Sequence, residues 1–403
     1  MTRIQQALMA ALRAAVQGST YEDPELSGEE WASLLRLASE QEILPLIVDC
    51  IWSAPSFRNL PDEDRKNYRK RALQIAVRQA VQTNEFLTLM LHAQAQGFEP
   101  IVLKGIVVRS LYPKPILRPS VDEDLLIPPG EAENYHRFFL SEGLTSDEPR
   151  ADVETLDELS YHRPDSPTYI ELHKSPFTDS DAYGDCNWLF AGATVCSVRI
   201  QIEDVSLRTL APSDHLLYLI CHAYKHFLYS GVGIRQVCDI AIFTAQYEAE
   251  IDWERIVRGC ASIRIDRFAA ALFRVADRHL GFPLPEPFSG YDVDEGPLLE
   301  DMLAGGMYGT ADEDRLHSAS ITLDAVASQR RGRGAKGILA SLFPPVSSLA
   351  GRYPYLRNRP WLLPAAWLQR IAGYVTNRRT SASASVQIGQ QRITLLKKYG
   401  IID

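Results

Sequence analysis

No apolar run among the 403 residues approaches the ~18 that a membrane-spanning helix needs, so no span is expected. The N-terminal stretch 1–18 is amphipathic. It has neither the continuous apolar core nor the small-residue cleavage site of a secretory signal. Cysteine is sparse: Cys50, Cys186, Cys196, Cys221, Cys238 and Cys260, with no C-x-x-C pair. That usage fits a reduced, cytoplasmic protein. Excess positive charge is also missing. The net charge of −9 and pI near 5.6 argue against a general nucleic-acid coat, which must neutralise phosphates broadly. A small, local polyanion site is still allowed.

What is present is ordinary globular material, with 46% hydrophobic and 23% charged residues. The length suggests two or three domains at ~150 residues each. Residues 1–97 read as a helical region, with Trp31, Leu34, Leu35, Leu37 and Ala38 at helical spacing and one long helix from Asp64 to Gln96. Residues 98–210 change character. Short β-branched runs at Pro100–Leu103, Val121–Ile127, Tyr169–Leu172 and Val195–Ile202 alternate with helical stretches such as Glu131–Glu142, the pattern of a sheet core. The acidic stretch 147–165 reads as loop or edge structure. Residues 211–328 are helical again, with segments expected at 233–247, 252–263, 266–280 and 313–328. Residues 329–403 form a basic linker and an aromatic, proline-containing tail, either a docking surface or lid or a wrap over the helical domain.

The most informative segment is 101–127, IVLKGIVVRSLYPKPILRPSVDEDLLI. An apolar strand runs into Lys104-Gly105, and a second strand carries Asp122 and Asp124. Residues two apart on a strand share a face, so both carboxylates project together. They repel unless a cation or proton lies between them. Mg²⁺ relieves the repulsion, because it binds one or two carboxylates together with substrate phosphates. Glu171 is the best third acid. In Tyr169-Ile170-Glu171-Leu172-His173 it shares a face with His173, opposite Ile170 and Leu172. A general base could come from this strand. Gly105 permits a tight turn and close backbone approach to a phosphate, with amides at the next helix start holding its oxygens and Lys104 adding a point charge. Arg118 either braces the carboxylates, contacts phosphate or lies on the surface. Glu123 should point away from Asp122 and Asp124, which puts a charge on the opposite face or brings that face near solvent.

His215, His222 and His226 fall on one helical stripe. His222 and His226 have zinc-compatible spacing, but the glutamate of H-E-x-x-H is absent, so a zinc protease is a poor fit. Polar residues facing a cleft are the plainer alternative. Arg235 and Asp239, four apart, are expected to pair with each other on a helix surface or between helices.

At these residues the chain resembles the polymerase β type of nucleotidyltransferase, and more closely the bacterial "uncharacterised nucleotidyltransferase" family. The resemblance lies in Leu103-Lys104-Gly105, Tyr112-Pro113, Arg118-Pro119-Ser120-Val121-Asp122-Glu123-Asp124-Leu125-Leu126-Ile127, Glu171-Leu172-His173 and His222 to His226 followed by Arg235 and Asp239. It extends to Phe343-Pro344-Pro345 and Trp361-Leu362-Leu363-Pro364 in the tail. It implies an α+β fold, with a small mixed sheet flanked by helical regions. It also implies Mg²⁺ (or Mn²⁺) held by Asp122, Asp124 and Glu171, and nucleotidyl transfer from a nucleoside triphosphate such as ATP. Lys104, Gly105, Arg118 and His173 would serve cofactor and substrate binding. Two departures stand out: Lys104-Gly105 replaces the Gly-Ser or Gly-Gly of the wider superfamily, and Glu123 replaces an apolar residue. The acidic balance favours a small molecule, peptide or protein acceptor over a long nucleic acid, with a tRNA end still open. Two alternatives share the same acids: a phosphotransferase that moves the γ-phosphoryl, and a non-catalytic nucleotide-binding module.

Overall fold

The computed structural model describes residues 1–148, 152–178, 182–190, 196–229, 231–306 and 382–403, with Ser180 and scattered positions between 322 and 369. The first helices start where the sequence supplies caps. α1 (Arg3–Gln17) follows a Thr2/Gln5 capping box and stops at Gly18 in the left-handed region. α2 (Gly28–Glu40) follows a Ser27/Glu30 box. After α3 (Leu44–Ile51) and the single turn α4 (Pro55–Arg58), α5 runs 34 residues from Asp62 to Ala95. Its first turn carries Asp62, Glu63 and Asp64, which suit the positive end of the helix dipole.

The centre is one seven-stranded mixed sheet in the order β3-β4-β5-β2-β1-β7-β6. The strands are β1 (Ile101–Val102), β2 (Glu123–Leu126), β3 (Thr145–Ser146), β4 (Glu158–His162), β5 (Tyr169–His173), β6 (Ser197–Ile202) and β7 (Val205–Leu210). Pairs β2/β5 and β1/β7 are parallel; the others are antiparallel. The turn α6 (Ile106–Arg109) follows β1, and α7 (Ala132–Ser141) follows β2. The fold is thus the helix-flanked mixed α+β architecture expected, with more strands than the β-branched runs indicate. β4 lies inside the stretch 147–165 and pairs on both sides, so it is neither loop nor edge.

Both sheet faces are covered. Val102, Leu125, Leu159, Ile170, Leu172 and Leu207 pack against α7 and the C-terminal half of α5. Ile101, Leu103, Leu126 and Leu210 join the larger core built by α8 (Pro212–Tyr229) and α9 (Ile234–Tyr247). The N-terminal helices share that core with α10 (Trp253–Ser262), α11 (Asp266–Val275), its π-helical extension Ala276–Leu280, and α13 (Gly296–Gly305), which follows the turn α12 (Glu286–Ser289). The expected segments 233–247, 252–263 and 266–280 are therefore found. Most of 313–328, and Phe343 to Pro345 in the tail, lie outside the described residues. The tail's end returns to the helical core: the helix Ala382–Lys398 leads to buried Leu396, Tyr399, Ile401 and Ile402. Among the described residues no helix is long and apolar enough to cross a membrane.

Candidate active site

Parallel pairing of β2 with β5 sets Asp124 directly beside Glu171 and Leu126 beside His173. Alternation then sorts β2. Asp124 and Leu126 face α8, whereas Glu123 and Leu125 face α5. The strand begins at Glu123, so Asp122 lies in the segment that enters it, and Val121 is 55% exposed rather than part of a buried strand.

On the α8 face, His173 Nε2 is 3.0 Å from Asp124 Oδ1 and 3.7 Å from Glu171 Oε2, and its Nδ1 is 3.5 Å from Glu158. Asp124, Glu171 and His173 can each present one ligand atom within 4.8 Å of the others. Asp122 stands beside this group and is joined to it by Lys104, whose Nζ is 3.4 Å from Asp122 Oδ2 and 3.1 Å from Asp124 Oδ2. The lysine thus lies between the two aspartates, with its ammonium supplying the counter-charge that their shared position demands. On its far side it meets His222 Nε2 at 3.2 Å, and His222 meets His226 at 3.1 Å.

The local fields push the groups apart. Burial opposes ionisation of Asp124, yet the Lys104 charge and the His173 hydrogen bond hold its carboxyl well below the usual range. Glu171 moves the other way, raised by burial and by the charges of Asp124 and Asp122 despite a hydrogen bond from His173. Burial disfavours charge on His173, but Asp124 and Glu171 outweigh it and lift the imidazole to about 9. His222 and His226 are pushed down by burial and by Lys104, and stay neutral. His215 does not belong to the site. It is buried against Phe243 and near Thr209 Oγ1, and burial pushes it down to about 3.

Glu123 does point to the opposite face, and of the two alternatives for that face the structure shows a buried charge. It is fully buried, not solvent-facing: it pairs with Arg109 at 2.6 Å and accepts the Ile106 amide at 2.7 Å. That amide, expected to face phosphate, is taken. Gly105 (φ 62°, ψ −113°) passes directly over the same carboxylate. Sequence reasoning placed Glu123 on the opposite face but missed its partner Arg109. The available signal was a base set in an apolar run, Arg109 after Val107 and Val108, which must find a partner when buried.

Arg118 is buried rather than superficial. It grips Asp239 through Nε at 3.1 Å and through a second nitrogen, while Tyr112 donates to the same carboxylate at 2.7 Å. The expected Arg235–Asp239 pair is replaced by longer reaches, because Arg235 bonds Glu42 at 2.9 Å and the Pro119 carbonyl at 2.6 Å. Two helical residues four apart therefore both pin the turn that delivers Asp122. A small pocket of about 20 Å³ lies there, lined in part by Lys104, Gly105, Arg118, Asp122, Arg235 and Gln236. Gln236 Oε1 accepts the Gly233 amide, while Nε2 is buried with no hydrogen-bond partner. An open groove of about 1140 Å³ elsewhere on the surface shares no lining residue with this centre.

A helix-flanked mixed sheet with acids on adjacent strands beside a glycine turn is the arrangement of a nucleotidyltransferase-type domain. The chain belongs to the family described as "Uncharacterised nucleotidyltransferase", whose sequence pattern matches residues 27–281. Comparison with curated proteins and with solved structures found no match.

Proposed function

We propose that the protein is a divalent-metal-dependent nucleotidyltransferase acting at Asp122, Asp124 and Glu171. The observation that carries this is the register of β2 against β5, which pairs Asp124 with Glu171 on the face where Lys104 bridges Asp124 and Asp122. The donor set fits the ion. Three carboxylates supply the hard oxygen ligands that Mg²⁺ prefers, and the nearby imidazole of His173 is tolerated by Mn²⁺ or orients Asp124 as an outer partner. An ion held by these acids would supply the positive charge that offsets the triphosphate.

The chain's own residues do the rest. His173 fixes the rotamer of Asp124. Glu171, with its raised pKa, is suited to take the proton of the acceptor. The acceptor oxygen bonds the α-phosphorus as the bond to the β-phosphate oxygen breaks, and pyrophosphate leaves. Lys104, Arg118 and Gln236 line the pocket beside Asp122 and would supply the donors to phosphate oxygens, Arg118 while still held by Asp239. That pocket is far below the ~300 Å³ of a ligand-sized site, so the nucleotide enters only with movement of Lys104 or of the turn. The acceptor is a small molecule, peptide or protein, met by the helical region after Pro212.

Incubation with each α-labelled nucleoside triphosphate and Mg²⁺ in a lysate of the source cell tests this. A labelled acceptor and free pyrophosphate are expected from wild type, with at least about a hundredfold loss in Asp124→Asn. Equal labelling by both proteins refutes the assignment, and release of nucleoside diphosphate in place of pyrophosphate makes the chemistry phosphotransfer.

A further inference from the structure

α5 carries a second apolar row that stays exposed among the described residues. Its inner face buries Ala72, Ala76, Phe86, Leu87, Met90 and Ala93. On another face Leu73, Val77 and Val81, four residues apart, are 54%, 61% and 40% exposed. Three large aliphatic side chains left exposed in one helical row form an apolar strip of the kind that marks an interaction surface.

The row forms one wall of the 1140 Å³ groove. The other wall is the β4–β5 connection, from His162 to Pro167. That wall is fixed in place. Ser166 and Thr168 both donate to the Glu85 carboxylate on α5, and Arg163 is 3.5 Å from the same group. The groove is therefore preformed, which lowers the ordering cost of binding. Its rim is cationic: Lys66, Arg69, Lys70, Arg78 and Arg163 line it, against the single acid Asp165. On a chain of net charge −9 this is a local concentration of positive charge.

We propose that this groove docks an acidic amphipathic helix of a partner protein. Rows four residues apart are the ridges that seat a second helix, and the cationic rim matches acids on the partner's outer faces. From Lys66 to Val81 the wall spans ~22 Å, about four turns of helix. Single-stranded nucleic acid fits less well, since the lining holds no Phe, Tyr or Trp on which bases stack. An anionic membrane is flat, whereas the Pro164–Pro167 wall stands beside the apolar row. The groove is separate from the acid centre, so its role does not rest on nucleotidyl transfer.

The test uses the full chain and a fluorescein-labelled peptide of ~15 residues, leucines on one helical face and glutamates on the others. Anisotropy should show saturable binding that weakens with added salt. A scrambled peptide of the same composition should bind at least ~10-fold more weakly, and so should wild-type peptide to Val77→Asp or Leu73→Asp. Lys70→Glu should weaken it several-fold, while Val198→Asp, exposed on β6, should not. Unchanged melting temperatures confirm that the variants are folded. Absence of binding, equal binding of the scrambled peptide, or indifference to Val77→Asp and Leu73→Asp overturns the proposal. Tighter binding of a short single-stranded RNA or of phosphatidylserine vesicles, lost in the same variants, also overturns it and assigns the groove to that ligand.

Discussion

The Glu123 carboxylate fills the space that a side chain on Gly105 would need: a β-carbon there would lie 2.0 Å from Oε2. Gly105 also has φ of 62° and ψ of −113°, a conformation that only glycine adopts without strain. The glycine of the Lys-Gly turn is therefore fixed by a buried acid beneath it. Gly105→Ala should cost ~2–4 kcal/mol of stability, read from the urea midpoint. A loss below 1 kcal/mol would show that the turn can shift off Glu123.

Glu123 and Arg109 form a buried pair on the α5 face of the sheet, each at most 2% exposed at the side chain. Burial raises the Glu123 pKa and lowers that of Arg109, and their mutual attraction opposes both shifts. Glu123→Leu, which leaves Arg109 unpaired, should cost ~3–5 kcal/mol. The double variant Glu123→Leu/Arg109→Met should recover much of that. Additive losses in a double-mutant cycle would mean the two do not act as a pair.

His173 ties stability to pH. Its folded pKa, about 9, lies above the ordinary 6.5, so its contribution is full below pH 6.5 and disappears as pH rises through 9. The shift corresponds to roughly 3 kcal/mol. In the absence of divalent metal, thermal stability should decline between those values, and His173→Asn should flatten the decline. Identical pH profiles for the two proteins would exclude His173 as its source.

Lys104 sits where it competes with a metal for the same two carboxylates. Lys104→Met should strengthen Mn²⁺ binding by at least about tenfold, since a unit charge within ~4 Å is worth a few kcal/mol near a protein surface. Isothermal titration against Mn²⁺ checks this. Weaker binding in the variant would place the ion away from Asp122 and Asp124.

Much of the site was legible before any coordinates. The two-residue repeat placed Asp124 on one face of β2 and Glu171 with His173 on one face of β5, because strand alternation is local geometry, whereas Asp122 lies in the segment that enters β2. Local signals failed where partners were distant. β4 and β7 do alternate, but each run is short and polar enough to read as loop until it is paired with β5 and β1. Asp239 was assigned to its helical neighbour Arg235, yet Arg118 reaches it from 121 positions away.

The chain's own order of residues thus determined the fold class, the acid-bearing strands, the helix boundaries at Thr2, Ser27 and Pro212, and the family. Tertiary structure alone decided that Glu171 lies beside Asp124, that Lys104 bridges the aspartates, and that Glu123 is buried under Gly105. Periodicity and capping are set within a few residues of chain, whereas strand register and the pairing of buried charges are set by packing across the whole sheet.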